Sequence, residues 1–221
     1  MQIVDLRGKL PTHKTKKYST RKESDIRSIA IHHSLTVSGS PEAFANYHVY
    51  TNGWSIMGYS YVVQRDGTIY WCADHNIITP HVGNSNKHSL GICLVGDFRT
   101  QHPTSEQYAA ALWLVRKLQQ ELPNAKEVKG HSEYPGYSWK ACPVISMDKF
   151  RSDVVNGVQE GDEEQMNLTD KEWKMLENNI AKALEKKVIS DAQWLDKVKN
   201  RTITNSELNW LNNVIVMRLL K

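Results

Sequence analysis

A run of six apolar residues, 90–95, constrains the fold more than any other segment of the chain. It reads Leu-Gly-Ile-Cys-Leu-Val, and a second glycine follows it at position 96. A short, continuous apolar run bounded in this way is typical of a β-strand that is fully buried in a sheet. Such a strand needs neighbouring strands and a layer of helices packed on the sheet. We therefore expect residues 90–95 to form a central strand.

Further strand signals lie on either side of this run. Residues 28–32 form a second short apolar run that ends in polar residues. Residues 59–64 and 68–72 are rich in aromatic and β-branched side chains and flank the pair Asp66-Gly67. Because Asp-Gly favours a tight turn, these two segments are predicted to form a β-hairpin.

Two helices are predicted among these strands. Ser40-Pro41 supplies an N-cap and a first-turn proline for a helix that continues to about Tyr50. Thr104-Ser-Glu-Gln107 has the spacing of a capping box, and Pro123 ends the helix that follows it. Strands interleaved with helices predict an α/β fold, in which a mixed central β-sheet is flanked by helices.

The organisation of the chain changes near residues 156–167. This stretch contains two glycines and a run of acidic residues, with almost nothing to bury, and is typical of a linker. It separates a domain of residues 1–155 from residues 168–221, which carry only helical signals. We expect the second part to form a small all-α module, which is marginal in size to be stable alone.

Composition and charge exclude several classes of protein. No run approaches the ~18 apolar residues of a membrane span, so membrane insertion is not expected. The net charge is +4, and residues 1–27 hold eight basic against three acidic side chains, which favours a solvated basic arm. No nucleic-acid recognition motif accompanies that arm, so no nucleic-acid partner is expected. The N-terminus lacks the pattern of a signal peptide, which predicts a cytoplasmic location in the producing cell.

Histidine and cysteine residues supply the candidate chemistry. The chain has nine histidines, and His32 ends the predicted strand at residues 28–32. His131 and Cys142 lie eleven residues apart, far downstream. Two histidines and one thiolate are the ligand set of a catalytic zinc site whose fourth position stays open to water. The alternative is that Cys142 is a buried thiol and that the two histidines are structural, and the spacing does not decide between the two.

Four separated blocks of the sequence together resemble a known family. They are Ser28-Ile-Ala-Ile-His-His-Ser34, Met57-Gly-Tyr-Ser-Tyr-Val-Val-Gln-Arg-Asp-Gly67, Ser89-Leu-Gly-Ile-Cys-Leu-Val-Gly96, and Gly130-His131 with Lys140-Ala-Cys-Pro143. Their order and spacing resemble those of the zinc N-acetylmuramoyl-L-alanine amidases, which include phage lysozyme-type amidases and animal peptidoglycan recognition proteins. The resemblance covers roughly residues 25–155. It implies the amidase/peptidoglycan recognition fold and a hydrolase that acts on peptidoglycan.

The resemblance also implies roles for individual residues. His32, His131 and Cys142 match the family's metal ligands, which implies one Zn²⁺ per chain. Tyr59 matches a tyrosine beside the water that the metal activates. Lys140 matches the lysine that phage enzymes place against the scissile carbonyl. These two residues are the expected catalytic side chains.

Four other residues of the family pattern are less specific. His81 and Asn84 match a substrate-groove segment, which implies that they bind substrate. His33 falls where relatives vary and is expected to be a neighbour rather than a ligand. Glu133 falls where relatives often have Asp, and a partner of a ligand and an ordinary loop acid are equal alternatives for it. The central strand carries no glutamate, which leaves Tyr59 and Lys140 to handle protons.

The expected activity is cleavage of the amide bond between N-acetylmuramic acid and L-alanine by zinc-activated water. Non-catalytic relatives commonly lack the cysteine ligand, so Cys142 favours an enzyme over a peptidoglycan-binding module. A phage or prophage endolysin, which acts on the cell wall after release, is favoured over a cytoplasmic muropeptide-recycling amidase, because a recycling enzyme has little need for an anchoring module. The helices of residues 168–221 are expected to bind cell wall, with homodimer formation or packing on the amidase domain as alternatives.

Overall fold

The computed structural model describes residues 1–157 and 168–219. Two compact units are found, Met1–Gly157 and Val158–Lys221. Most of the predicted linker, residues 156–167, lies outside the described residues. Only its first two positions are described: Asn156 ends a helix, and Gly157 follows with a positive φ of 79°.

The first unit is built on one six-stranded mixed sheet, as predicted. The order of its strands is β1-β4-β3-β5-β2-β6. Strands β3 and β4 are antiparallel and form the predicted hairpin, whereas the other neighbouring pairs are parallel. The strands are β1 (Ile3–Asp5), β2 (Ser28–His33), β3 (Tyr61–Val63), β4 (Ile69–Trp71), β5 (Ser89–Leu94) and β6 (Glu127–Gly130).

Strand β5 occupies the central position that its apolar sequence predicts. It lies between β3 and β2, and all six of its residues are buried. The edge strands β1 and β6 escape the sequence analysis because they are short, and β6 contains the polar residues Glu127 and Lys129. Only β-strands with a strong apolar pattern are recognisable from their own sequence.

Three α-helices belong to this unit: α1 (Pro41–Asn46), α2 (Ser105–Glu121) and α3 (Met147–Asn156). The first continues as a π-helical turn, Tyr47–Thr51. The Ser40 side chain accepts a hydrogen bond from Ala43 N at 3.2 Å, which is the predicted N-cap of α1.

The capping box predicted for α2 is only half correct. Thr104 Oγ1 accepts a hydrogen bond from Gln107 N at 3.1 Å, as expected. The side chain of Gln107, however, donates to the carbonyl oxygens of Val63 and Val95, both at 2.9 Å. These carbonyls lie at the ends of β3 and β5, where a buried acceptor without a partner is costly. A tertiary contact therefore takes the side chain away from the local cap.

The side chains of β2 alternate between the two faces of the sheet, and only one of these faces carries the main hydrophobic core. Ile29 and Ile31 pack in the main hydrophobic core with the buried face of α2. His32 points the other way, because successive side chains of a strand alternate between faces. Its register partner in β5 is Cys93, which belongs to a second hydrophobic cluster on that side.

Most basic side chains of the N-terminal segment are exposed, as predicted, but Arg21 is not. Arg21 is only 6% exposed, and its guanidinium donates to the carbonyl oxygens of His75 at 2.8 Å and of Ser89 at 2.5 Å. Thr20 forms a β-bridge with Ile77. The prediction of a solvated arm therefore fails at Arg21 alone, because the charge count does not show that this side chain satisfies backbone acceptors inside the fold.

The second unit consists of helices in its described part. They are α4 (Asp170–Glu185), α5 (Gln193–Lys199) and α6 (Asn205–Leu219). A capping box of Thr169 and Glu172 starts α4. The unit has a hydrophobic cluster of its own, which includes Trp173, Ile180 and Leu211. Nowhere in residues 1–157 and 168–219 does a helix combine the length and apolar character needed to cross a membrane.

Candidate metal centre and cavity

Three buried side chains lie together at the carboxyl ends of strands β2 and β6. They are His32, His131 and Cys142, and we call them the His-His-Cys cluster. Strands β2 and β6 are parallel and pair Ile31 with Gly130, so the next residue of each strand is a histidine. Nδ1 of His32 lies 3.0 Å from Nδ1 of His131, and Sγ of Cys142 lies 3.9 Å from Nδ1 of His32. All three ligand atoms lie within 4.8 Å of one another.

The environment of the cluster suits a soft divalent cation. Burial lowers the pKa of His32 well below its usual value and that of His131 to about 4, so both imidazoles are neutral and have a lone pair. Burial raises the pKa of the Cys142 thiol to about 11, and the N–H of His33 points at its sulfur from 3.5 Å. Two neutral imidazole nitrogens and a sulfur are a ligand set that Zn²⁺ prefers. The residues present therefore fit such an ion.

A cavity of about 370 Å³ extends over the cluster. The expected catalytic residues Tyr59 and Lys140 line it together with the cluster. Trp54, His81 and Trp139 also contribute to its walls. The structure thus brings these eight side chains, all able to contact a ligand, to one concave surface.

Tyr59 lies beside the first histidine of the cluster. The centroids of the Tyr59 and His32 rings are 5.3 Å apart. Desolvation raises the pKa of Tyr59 well above its ordinary value of 10. The phenol therefore keeps its proton at neutral pH and can act as a hydrogen-bond donor.

Lys140 lies between two aromatic rings at the cavity. Its Nζ atom is 4.9 Å from the centroid of the Trp139 ring and 5.7 Å from that of Tyr137. Cation–π contacts of this length restrict the position of an ammonium group. The indole of Trp139 is 76% exposed, and its Nε1 donates to the carbonyl oxygen of Gly136 at 3.0 Å. The lysine is thus held near Cys142, which follows two residues later.

His81 and Asn84, the expected substrate-binding pair, lie in different surroundings. The ring of His81 is buried against His32, with Nδ1 of His81 3.0 Å from Nε2 of His32. Asn84 is exposed on the 3₁₀ turn Gly83–His88 and is not among the residues that line the cavity. Asn86, which sequence reasoning passed over, accepts hydrogen bonds at Oδ1 from the N–H groups of His81 and Val82, at 3.0 and 2.6 Å.

The contacts of His33 and Glu133 are with the protein framework. Nδ1 of His33 accepts a hydrogen bond from Phe98 N at 3.0 Å, and its ring also borders the cavity. Glu133 accepts from Gly130 N at 2.7 Å and forms an ion pair with Arg151 at 2.9 Å. The acid therefore stabilises the turn that carries His131, a role that the sequence pattern left open.

His48 is a second residue whose role is not evident from the sequence. Its ring stacks on Trp54 with a centroid distance of 4.7 Å, and its Nδ1 accepts a hydrogen bond from Gly58 N at 3.1 Å. Gly58 immediately precedes Tyr59, so His48 holds the backbone that presents the tyrosine. A side chain that acts through a backbone contact ten residues away leaves no local sequence signal.

Known proteins are similar to the part of the chain that carries this site. The family profile for N-acetylmuramoyl-L-alanine amidases matches residues 22–144. An endolysin of Enterobacteria phage K11 is 30% identical over 103 residues, which are 44% of this chain and 66% of that protein. Peptidoglycan-recognition protein LB of Drosophila melanogaster is 32% identical over 96 residues, which are 39% of this chain and 41% of that protein. The chain thus spans less than two thirds of the length of either curated relative.

Solved structures agree with this match. The Ph2119 endolysin from a Thermus scotoductus bacteriophage superposes with a TM-score of 0.59 at 26% identity, over 69% of this chain and 99% of that one. The amidase LysC from Clostridium intestinale shares the fold with a TM-score of 0.56 at 22% identity, over 70% and 98% of the two chains.

Proposed function

Because the chain belongs to the N-acetylmuramoyl-L-alanine amidase family, we propose that it hydrolyses the amide bond between N-acetylmuramic acid and L-alanine in peptidoglycan. The observation that carries the proposal is the convergence of His32, His131 and Cys142 below a cavity. A binding module needs the cavity but has no use for three buried ligand atoms that face one another. Catalysis therefore explains both the cavity and the three ligand atoms, whereas recognition explains only the cavity.

The proposed cofactor is one Zn²⁺ per chain, with His32, His131 and Cys142 as its protein ligands. When bound, zinc activates a water molecule as a nucleophile at neutral pH and polarises the carbonyl that is attacked. The two imidazoles are neutral at neutral pH and can bind the metal without losing a proton, whereas the thiol of Cys142 would release its proton on binding. Three protein ligands leave a coordination position for the reaction.

Two side chains of the cavity are proposed to act on the substrate. The protonated hydroxyl of Tyr59 orients the attacking water by a hydrogen bond and relays its proton. The ammonium of Lys140 stabilises the negative charge that develops on the carbonyl oxygen. Its contacts with Trp139 and Tyr137 hold it in place before the substrate arrives. Substrate contacts by His81 and Asn84 stay predictions from the family resemblance.

The proposed biological role is that of a phage or prophage endolysin. Two of the similar proteins are phage endolysins, and this supports action on the bacterial cell wall. Synthesis in the cytoplasm without a signal peptide stays a prediction, as does the division into a catalytic domain of residues 1–155 and a module of residues 168–221.

We assign cell-wall binding to the module of residues 168–221, because its exposed Trp210 packs near Trp194 and gives an aromatic surface. Dimer formation through these helices remains the alternative.

The test is digestion of purified sacculi with and without a metal chelator. Release of stem peptides with new L-alanine amino termini is expected, together with a free carboxylate on each N-acetylmuramic acid left in the glycan. The chelator should abolish this release. Addition of Zn²⁺ should restore the release. Binding to sacculi without any new amino termini would contradict the hydrolase and favour the recognition module.

A further inference from the structure

The ring of His81 has a protein partner at both of its nitrogen atoms. Nδ1 of His81 is 3.0 Å from Nε2 of His32, and Nε2 of His81 is 3.3 Å from the carbonyl oxygen of Ser89. The two imidazoles meet edge to face, with centroids 5.2 Å apart and an interplanar angle of 76°. His81 is 8% exposed. Its nitrogens are thus directed at the protein rather than at the open part of the cavity.

The carbonyl of Ser89 determines which ring nitrogens of His81 and His32 carry a hydrogen atom. A carbonyl oxygen only accepts, so Nε2 of a neutral His81 ring carries its hydrogen and donates it. Nδ1 of His81 is then an acceptor, and Nε2 of His32 must carry a hydrogen in order to donate to it. The lone pair of His32 therefore lies on Nδ1. That is the atom that faces His131 and Cys142.

We propose that His81 is a positioning residue for the metal: it selects the tautomer of His32 that presents a lone pair to the His-His-Cys cluster and fixes the rotation of that ring. The inference rests on the metal site of the proposed function. Histidine ligands commonly donate their second N–H to a carboxylate, a carbonyl or water, and this partner sets the tautomer and the ring orientation. Here the partner is a second imidazole, which is itself oriented by a backbone carbonyl.

The surroundings of His81 hold the ring in this place. Asn86 Oδ1 accepts a hydrogen bond from the backbone N–H of His81 at 3.0 Å. The guanidinium of Arg21 donates to the same Ser89 carbonyl at 2.5 Å. Gly91 leaves the space that the ring needs, because a Cβ atom at that position would lie 3.0 Å from Nδ1 of His81. Strand β5, the turn Gly83–His88 and the N-terminal segment therefore all help to fix the orientation of the His81 ring.

The test compares two polar variants of similar size. In His81→Asn, the amide oxygen occupies the position of Nδ1 and still accepts from His32. In His81→Gln, the amide group reaches the position of Nε2 near Ser89 and leaves the Nδ1 position without an acceptor. Zinc dissociation constants of the full-length proteins are measured by competition with a chelator. The absorption spectrum of the Co²⁺-substituted proteins reports the ligand geometry, and thermal unfolding of the metal-free proteins verifies that both variants fold.

We expect His81→Gln to weaken zinc binding by about 10- to 100-fold and His81→Asn to remain within about 3-fold of the wild type. The Co²⁺ spectrum should change only for His81→Gln. His75→Gln is the control, because it removes another buried imidazole, hydrogen-bonded to the Tyr61 hydroxyl at 2.8 Å, that does not line the cavity. It should leave the zinc affinity unchanged.

Two results would overturn the positioning role alone. Wild-type zinc affinity in both His81 variants would show that the tautomer of His32 needs no partner. An equal loss in both would show that the acceptor at the Nδ1 position has no specific effect. A wild-type protein that binds no zinc would instead remove the metal site of the proposed function, and the inference with it.

Discussion

Sγ of Cys142 lies 3.9 Å from Nδ1 of His32, although 110 positions separate the two residues along the chain. The thiol is buried, and the backbone N–H of His33 approaches the same sulfur. A buried sulfur that faces an imidazole lone pair is well placed to share a cation with it. The first prediction concerns this pair.

Replacement of Cys142 by serine should remove most of the bound zinc. A hydroxyl is a hard and weakly acidic ligand, which substitutes poorly for a thiolate. Metal analysis of the purified variant after dialysis measures the loss. Cys72→Ser is the matched control, since that buried cysteine lies outside the cluster and should not affect the zinc content. Full zinc retention in Cys142→Ser would disprove the ligand assignment.

Replacement of Tyr59 by phenylalanine should preserve zinc and reduce turnover. The variant keeps the ring beside His32 but loses the hydroxyl, and acid–base contributions of this kind are typically ~10²–10⁴-fold. The measurement is kcat on a soluble muropeptide together with the zinc content. Tyr134→Phe is the control: it removes a buried hydroxyl that is hydrogen-bonded to Ser89 and Ser28, and should cost stability rather than kcat. An unchanged rate in Tyr59→Phe would exclude the hydroxyl from the mechanism.

Replacement of Lys140 by alanine should lower kcat by about 10²–10³-fold, because a charge that stabilises the developing oxyanion is lost. Zinc content should stay at the wild-type level, since the lysine is not a ligand. Lys126→Ala, at an exposed position outside the cavity, serves as the control for removing one positive charge. The proposed role fails if the two lysine variants hydrolyse a soluble muropeptide at the same rate.

The metal-free protein should lose stability between about pH 6.5 and pH 4, in part because of His48. Burial lowers the pKa of His48 to about 4, and its Nδ1 accepts from Gly58 N, which a protonated ring cannot do. The unfolded chain binds a proton near pH 6.5 and the folded protein does not, so the free energy of unfolding falls as the pH falls through this window. The contribution is on the order of 2 kcal/mol.

His48→Asn isolates this effect. The amide oxygen keeps an acceptor for Gly58 N, but the side chain no longer titrates. The variant should lose less stability than the wild type between pH 6.5 and pH 4, as measured by urea unfolding of both metal-free proteins. Parallel stability curves would show that His48 does not contribute.

Truncation after Asp162 should spare hydrolysis of soluble muropeptides and weaken activity on intact sacculi. The second unit has a hydrophobic cluster of its own, so its removal need not open the core of the first unit. A tethered weak wall binder raises the local substrate concentration without changing the chemistry. Equal losses on both substrates, with a lower melting temperature, would assign the helices to stability. Sedimentation of the full-length chain tests dimer formation separately.

The predictable parts of the fold are those with a strong local pattern. Strand β5 and the β3–β4 hairpin follow from an apolar run and an Asp-Gly turn, both of which act within a few residues. Strands β1 and β6 take their structure from pairing with distant partners, so their own sequences carry little signal. The side chain of Gln107 shows the same limit: a local rule predicts a cap, but buried strand carbonyls compete for it.

The candidate site divides in a similar way. The resemblance of four blocks points to His32, His131, Cys142, Tyr59 and Lys140, and the structure brings all five to one cavity. The roles of His48 and Asn86 depend on backbone groups that approach only after folding. Residues that act through such contacts are invisible to a motif, because the motif contains only one of the two partners.

The pairing of Ile31 with Gly130 has a consequence for how the chain tolerates changes in length. The two histidines are neighbours because adjacent strands are in register, and the number of residues between them does not enter that geometry. An insertion in the exposed turn at Pro123 and Asn124 lengthens the path from His32 to His131 and leaves their separation unchanged. A single-residue deletion within β6 is different, because it reverses the side to which the following side chain points. The chain should therefore tolerate changes in the length of this loop, but not in the phase of the strand, and still keep the two imidazoles together.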